Sequence, residues 1–197
     1  LTAGPILALA EALNAGGIDL IEVTFDQAAP QRWADTAKAI RTLALEAHGR
    51  ILPGAGTVIT IEQYAMARDA GAQYIVTPVV NPALIEAAKK VGLCAFPGAF
   101  TPTEIELAYK AGADAVKVFP AGALGPGYIK AVRAPLPHIP LMAVGGINEE
   151  NAASFLAAGA VGLGIGGNLV NKAWIENGEF QRITELAKIY RTKVDAV

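Results

Sequence analysis

A short unit recurs along this chain: a helix-forming stretch, then a glycine, then a run of apolar, strand-forming residues. It appears at Ala15-Gly16-Gly17-Ile18-Asp19-Leu20-Ile21, Ala70-Gly71-Ala72-Gln73-Tyr74-Ile75-Val76, Val91-Gly92-Leu93-Cys94-Ala95-Phe96, Ala111-Gly112-Ala113-Asp114-Ala115-Val116 and Ala158-Gly159-Ala160-Val161-Gly162-Leu163. Gly49, Gly71, Gly92 and Gly112 follow one another at intervals of 22, 21 and 20 residues. An interval of that length holds one helix and one strand and little else. Glycine at this place suits the residue just past a helix, where φ is positive. Strands that alternate with helices and are themselves nearly all apolar form a parallel sheet covered on both faces.

The unit predicts seven strands, near residues 18–24, 51–57, 73–77, 93–97, 114–119, 139–144 and 161–166. A helix at 5–15 precedes them, and amphipathic, alanine-rich helices are expected at 61–70, 82–91, 103–111 and 149–158. Thr101-Pro102-Thr103-Glu104 supplies an N-cap, a proline for the first turn and an acid against the helix dipole. Asn148-Glu149-Glu150 and Asn81-Pro82 offer comparable starts, and 178–197 reads as an extra C-terminal helix. If each helix follows a strand, an eighth strand belongs ahead of Leu1. Eight units make an α/β fold of the (β/α)₈ TIM-barrel kind, with residues 1–197 as a single domain. An open, doubly wound sheet is the alternative.

Composition narrows the partners. The chain is 53% hydrophobic and 17% charged, which excludes disorder. Its net charge of −2 argues against a nucleic-acid surface, which needs clustered Lys and Arg. No apolar run approaches the roughly 20 residues of a membrane helix, and the segment 1–13 lacks the basic start of a signal peptide. Cys94 stands alone, so no intrachain disulfide can form and a reducing, cytoplasmic setting is expected. With one Cys and only His48 and His138, no Cys/His zinc cluster is expected; carboxylate-bound magnesium stays open.

Active sites of such barrels lie at the C-terminal ends of the strands, so polar residues there are the candidates. Lys117 sits in the apolar run Ala115-Val116-Lys117-Val118-Phe119. An edge lysine could snorkel to water, but a barrel has no edge; an inward amine is desolvated, its pKa falls, and the neutral amine can form a Schiff base. Glu22, in Ile21-Glu22-Val23-Thr24, reads either as a structural ion-pair partner of Lys117 or as a general acid/base. Gly54-Ala55-Gly56-Thr57 lets substrate approach the backbone and adds a hydroxyl, although a plain tight turn would look the same. Gly145-Gly146-Ile147-Asn148 and Gly162-Leu163-Gly164-Ile165-Gly166-Gly167-Asn168 follow the last two strands, where barrels often bind phosphate on backbone N–H groups. Gly162, Gly164 and Gly167 also fit G-x-G-x-x-G, but too little chain follows to complete a dinucleotide-binding unit.

Taken in order, Glu22-Val23-Thr24, Gly54-Ala55-Gly56-Thr57-Val58, Pro97-Gly98-Ala99-Phe100-Thr101-Pro102-Thr103-Glu104, Lys117-Val118-Phe119-Pro120-Ala121 and Val144-Gly145-Gly146-Ile147 resemble the 2-keto-3-deoxy-6-phosphogluconate (KDPG) and 4-hydroxy-2-oxoglutarate aldolases and the 2-keto-3-deoxy-6-phosphogalactonate relatives, over residues 5 to about 175. The resemblance implies a cofactor-free and metal-free class I aldolase, usually a homotrimer. It makes Lys117 the Schiff-base lysine and Glu22 the general acid/base, with Thr57 on the pyruvate part and Pro78 and Phe119 lining the site. It puts Val144, Gly145, Gly146, Gly166, Gly167 and Asn168 around the substrate and its phosphate. Three positions depart from the gluconate-type pattern. Asp26 stands where an arginine often helps to bind the carboxylate, Val144 replaces a threonine and resembles the galactonate type, and Asn168 replaces a serine. The expected reaction releases pyruvate and glyceraldehyde 3-phosphate. Competing readings are a phosphate-binding barrel of another type, such as an isomerase or a thiamine-phosphate-type synthase, and a barrel that binds a phosphorylated ligand without catalysis.

Overall fold

The computed structural model describes residues 3–47 and 49–196. His48 and the strand expected ahead of Leu1 fall outside them. The strands are β1 (Leu20–Thr24), β2 (Leu52–Gly56), β3 (Tyr74–Val76), β4 (Cys94–Phe96), β5 (Gly98–Ala99), β6 (Val116–Val118), β7 (Leu141–Val144) and β8 (Gly162–Gly164), each parallel to its partner. All seven expected strands are present, and one of them is divided. The run expected at 93–97 becomes β4 and β5, separated by Pro97, which has no N–H to give to a ladder. The chain bridges the break: Asp114 N–H donates to Ala95, Lys117 N–H to the Pro97 carbonyl and Phe119 N–H to Ala99. Pairing follows sequence order within each of two four-stranded sheets, β1 to β4 and β5 to β8, and these bonds link the two.

The helices are α1 (Ala3–Ala15), α2 (Trp33–Glu46), α3 (Ile61–Asp69), α4 (Pro82–Lys90), α5 (Pro102–Lys110), α6 (Ala121–Leu124), α7 (Pro126–Arg133), α8 (Ala152–Ala157), α9 (Lys172–Glu176) and α10 (Phe180–Asp195), with a 3₁₀ turn at Pro30–Arg32. The caps read from the sequence form. Thr101 and Glu104 make a reciprocal capping box at α5, and the Asn81 side chain accepts from Ala83 and Leu84 N–H at α4. At the glycines that end α3, α4, α5 and α8, φ is 94°, 79°, 103° and 101°. One start is corrected. The helix expected from 149 begins at Ala152, because Asn148 and Asn151 exchange side-chain to backbone hydrogen bonds that turn the chain before it can coil.

Outward strand residues such as Ala55, Ile75, Ala95, Val116, Leu141 and Ala143 are buried against the helices. The opposite faces turn toward the sheet's other side, where Glu22, Gly54 and Tyr74 lie in register across β1, β2 and β3. β1 and β6 are four strand steps apart, about 19 Å in a flat sheet. In a barrel-like sheet that span closes around a lumen, and Glu22 and Lys117 both belong to the strand faces turned away from the helices. Among the described residues β1 pairs only with β2 and β8 only with β7. α10 packs across α1: a methyl on Gly16 would lie 2.3 Å from the Ala187 Cβ, and the Thr184 hydroxyl donates to the Ala12 carbonyl.

Candidate active site

Lys117 is the central residue of β6, and strand alternation sets it opposite to the helix-facing Val116 and Val118. It is 8% exposed. Its Nζ lies 4.7 Å from the centre of the Phe119 ring, and no carboxylate oxygen among the described residues comes within 4.0 Å of it. The structural ion pair considered for Lys117 and Glu22 is therefore not closed. Burial holds the amine below its ordinary pKa, and the Glu22 carboxylate opposes part of that shift.

Glu22 is the third residue of β1. Glu22 is exposed as a residue, on the wall of a cleft of 330 Å³ between α1, β1 and α2 that also includes Thr24 and Asp26, while protein atoms crowd its carboxyl end. Desolvation raises its pKa and the Lys117 charge lowers it by less. A methyl on Gly56 would meet the Glu22 carboxyl at 2.9 Å, so the glycine makes room for it. Asp26, the position where an arginine was sought, accepts from the Ala28 N–H in a tight turn.

Thr57 follows Gly56 and has φ of +55°, alone among the described non-glycine residues in taking a positive value. A β-branched residue there is strained, by roughly 1–2 kcal/mol. The left-handed step breaks the strand alternation at the mouth of the lumen. Pro78 is half-buried, and its carbonyl lies against the space that a Cβ on Gly98, the β5 residue in register with Lys117, would take. Phe119 covers Gly145, where a methyl would lie 2.8 Å from its ring, and the Val144 side chain covers Gly164.

At the phosphate candidates, Gly145 and Gly146 have consecutive φ of 85° and 75°. No acceptor for the Gly146, Ile147, Gly167 or Asn168 N–H is found among the described residues. Gly166, Gly167 and Asn168 are exposed, with open space where side chains on the two glycines would be. The Asn168 side chain is otherwise engaged: it donates to the Ile147 carbonyl and joins the two loops. Behind them the α10 residue Tyr190 donates to Glu149, and its pKa is pushed up to about 12 by burial and then by that carboxylate.

Some residues of the site had no part in the sequence reading. The outer half of the Tyr74 ring lies over Gly54, where a methyl would be 2.2 Å from it, and burial followed by the Glu22 charge raises its pKa. Its inward place could have been read from strand period. Gly122 packs on Gly146 and donates to the Gly145 carbonyl. Gln63 and Gln27 join the turns after β2 and β1. The spacing Thr60-x-x-Gln63 signals a capping box, which forms; nothing local marks Gln27.

The family model for KDPG and KHG aldolase matches residues 2–186. The chain is 37% identical over 196 residues to the 2-dehydro-3-deoxy-6-phosphogalactonate aldolase of Escherichia coli strain K12, a match that covers 98% of this chain and 92% of that protein. A solved structure described as native KDPGal superposes with a TM-score of 0.87 at 33% identity, over 100% of this chain and 91% of the other. The Legionella pneumophila KDPG aldolase, solved with pyruvate captured as a covalent carbinolamine intermediate, superposes at 0.84 with 31% identity, over 95% and 89%.

Proposed function

From the premise that this chain belongs to the KDPG and KHG aldolase family, we propose that it is a class I aldolase that cleaves a 6-phosphorylated 2-keto-3-deoxy sugar acid to pyruvate and glyceraldehyde 3-phosphate. The observation that carries the reading is Lys117, buried at 8% exposure, free of any close carboxylate and depressed in pKa. An amine in that state is a nucleophile toward a ketone.

In the proposed reaction the Lys117 amine adds to the C2 carbonyl, giving a carbinolamine that loses water to form an iminium. Glu22, directly or through a water, takes the proton of the C4 hydroxyl. The C3–C4 bond breaks, its electron pair moves into the iminium, and the aldehyde leaves. The resulting enamine is protonated at C3. Water then hydrolyses the iminium, releasing pyruvate and restoring the amine. The raised pKa of Glu22 suits a group that both accepts and returns a proton. Thr57, Pro78 and Phe119 enclose the pyruvate end. Gly145, Gly146, Gly166, Gly167 and the Asn168 backbone hold the phosphate, which backbone N–H groups suit since neither loop carries Lys or Arg. The working form is a homotrimer in the cytoplasm.

The gluconate epimer is the first substrate considered, with 4-hydroxy-2-oxoglutarate as a shorter one. Val144 in front of Gly145-Gly146 favours the galactonate epimer as a second reading, and the E. coli relative bears that name. The test is pyruvate with borohydride, followed by mass mapping. Lys117 is expected to carry the label, and Lys117→Ala to lose labelling and cleavage of both epimers together. Label on a helix lysine such as Lys89 or Lys130, or full turnover by Lys117→Ala, overturns the reading.

A further inference from the structure

The strained turn at Thr57 is held from outside the lumen. Gln63, 0% exposed, accepts the Ile59 and Thr60 N–H groups through Oε1 at 2.8 and 3.2 Å. That fixes the orientation of its amide, so Nε2 points at the Gln27 Oε1 and donates at 2.9 Å. The orientation of Gln27 is fixed in turn. Its Nε2 donates to the Thr57 carbonyl at 2.8 Å and to the Phe25 carbonyl at 3.3 Å. A single relay thus ties the turn after β1 to the turn after β2, and its last donor grips the residue with φ of +55°. A strained conformation persists when its surroundings over-determine it, and such strain gathers at ligand-binding positions.

We propose that Gln27 is a positioning residue: it holds Thr57 in the left-handed conformation that presents it to the pyruvate end of the substrate. The proposal rests on the reading of Thr57 given above. The geometry demands an amide. A carboxylate at position 27 keeps the acceptor for Gln63 but sets oxygen against the Thr57 and Phe25 carbonyls, and a thioether of the same length keeps neither bond. Without the grip, Thr57 relaxes toward negative φ and its contact with pyruvate is lost, while Lys117, on the far side of the sheet order, keeps its reactivity.

The experiment is a pyruvate titration of borohydride trapping, mass-mapped to Lys117, in the full chain. Gln27→Glu and Gln27→Met are expected to raise the half-saturating pyruvate concentration by about tenfold, the usual weight of one well-placed hydrogen bond. Labelling at saturating pyruvate and its pH midpoint stay as in the unsubstituted chain. Gln63→Glu, which keeps the cap acceptor and loses the donor to Gln27, shifts it in the same direction. Glycine takes positive φ without strain, so in a Thr57→Gly background Gln27→Glu is expected to add nothing. An unchanged half-saturation in both Gln27 variants overturns the proposal. So does an equal shift in the Thr57→Gly background, since Gln27 would then act through something other than Thr57. Absence of label in the unsubstituted chain is a different result: it refutes the Schiff-base reading, and this inference with it.

Discussion

Burial acts with opposite signs on Lys117 and Glu22, and the pair opposes both shifts. It disfavours the ammonium of Lys117 and the carboxylate of Glu22, while each charge, once formed, favours the other. Glu22→Gln removes the carboxylate that supports the ammonium, so the Lys117 pKa is expected to fall further. The pH midpoint of borohydride trapping should then move to lower pH, and cleavage should slow by roughly 10²–10⁴; an unmoved midpoint would show that the two groups are not coupled. Stability gives a second measurement. The folded pKa of Glu22 lies above the ordinary 4.5, so the folded chain holds that proton more tightly than the unfolded chain does. The corresponding stability is full below 4.5 and is lost as pH rises through the folded value. Glu22→Gln should flatten this slope, which denaturant melts on either side of that window would register.

Among the elements, β2 shows why its glycines have no substitutes. Gly54 lies in register between Glu22 and Tyr74, and the Tyr74 ring occupies the volume where a Cβ would stand. Gly54→Ala must displace that ring from its tilted contact with Phe96, whose centre is 5.5 Å away. Overpacking of this kind costs about 1–3 kcal/mol. The loss is expected in an equilibrium melt of Gly54→Ala and should be partly recovered in Gly54→Ala with Tyr74→Leu, since two residues in contact do not act independently. Additive losses would mean that the ring is not what the methyl meets. The glycine-rich run was legible in the sequence as a place of close approach. That the approaching group is partly a tyrosine ring, rather than substrate alone, depends on which residue of β3 falls in register.

For the whole molecule, the homotrimer is the proposal most open to measurement. Val79 after β3, Phe100 after β5 and Leu107 on α5 are large apolar side chains with 52%, 45% and 46% exposure. Exposed large apolar side chains are the surface an interface between copies would cover. Light scattering is expected to give three times the 20.3 kDa chain mass, and Leu107→Glu to lower it; a monomeric mass for the unsubstituted chain would refute the trimer.

The period of the helix–glycine–strand unit carried the α/β architecture, the strand positions and the caps at Asn81 and Thr101, because these are local: hydrophobic alternation, φ preference and side-chain to backbone hydrogen bonds act within a few residues. The singularity of Lys117 and Glu22 was legible for the same reason, since a charge in an apolar strand is conspicuous wherever the strand lies. Other features were not local. Asn148 and Asn151 satisfied each other and delayed α8, and Pro97 divided a strand whose apolar pattern ran through it. Gln27 meets Thr57 and Gln63 across 30 and 36 residues. The open spacing of Lys117 and Glu22 rests on the curl of the sheet, which brings β1 and β6 to one lumen. Sequence periodicity says which face of a strand is inward; only the tertiary arrangement of the strands says what that face meets.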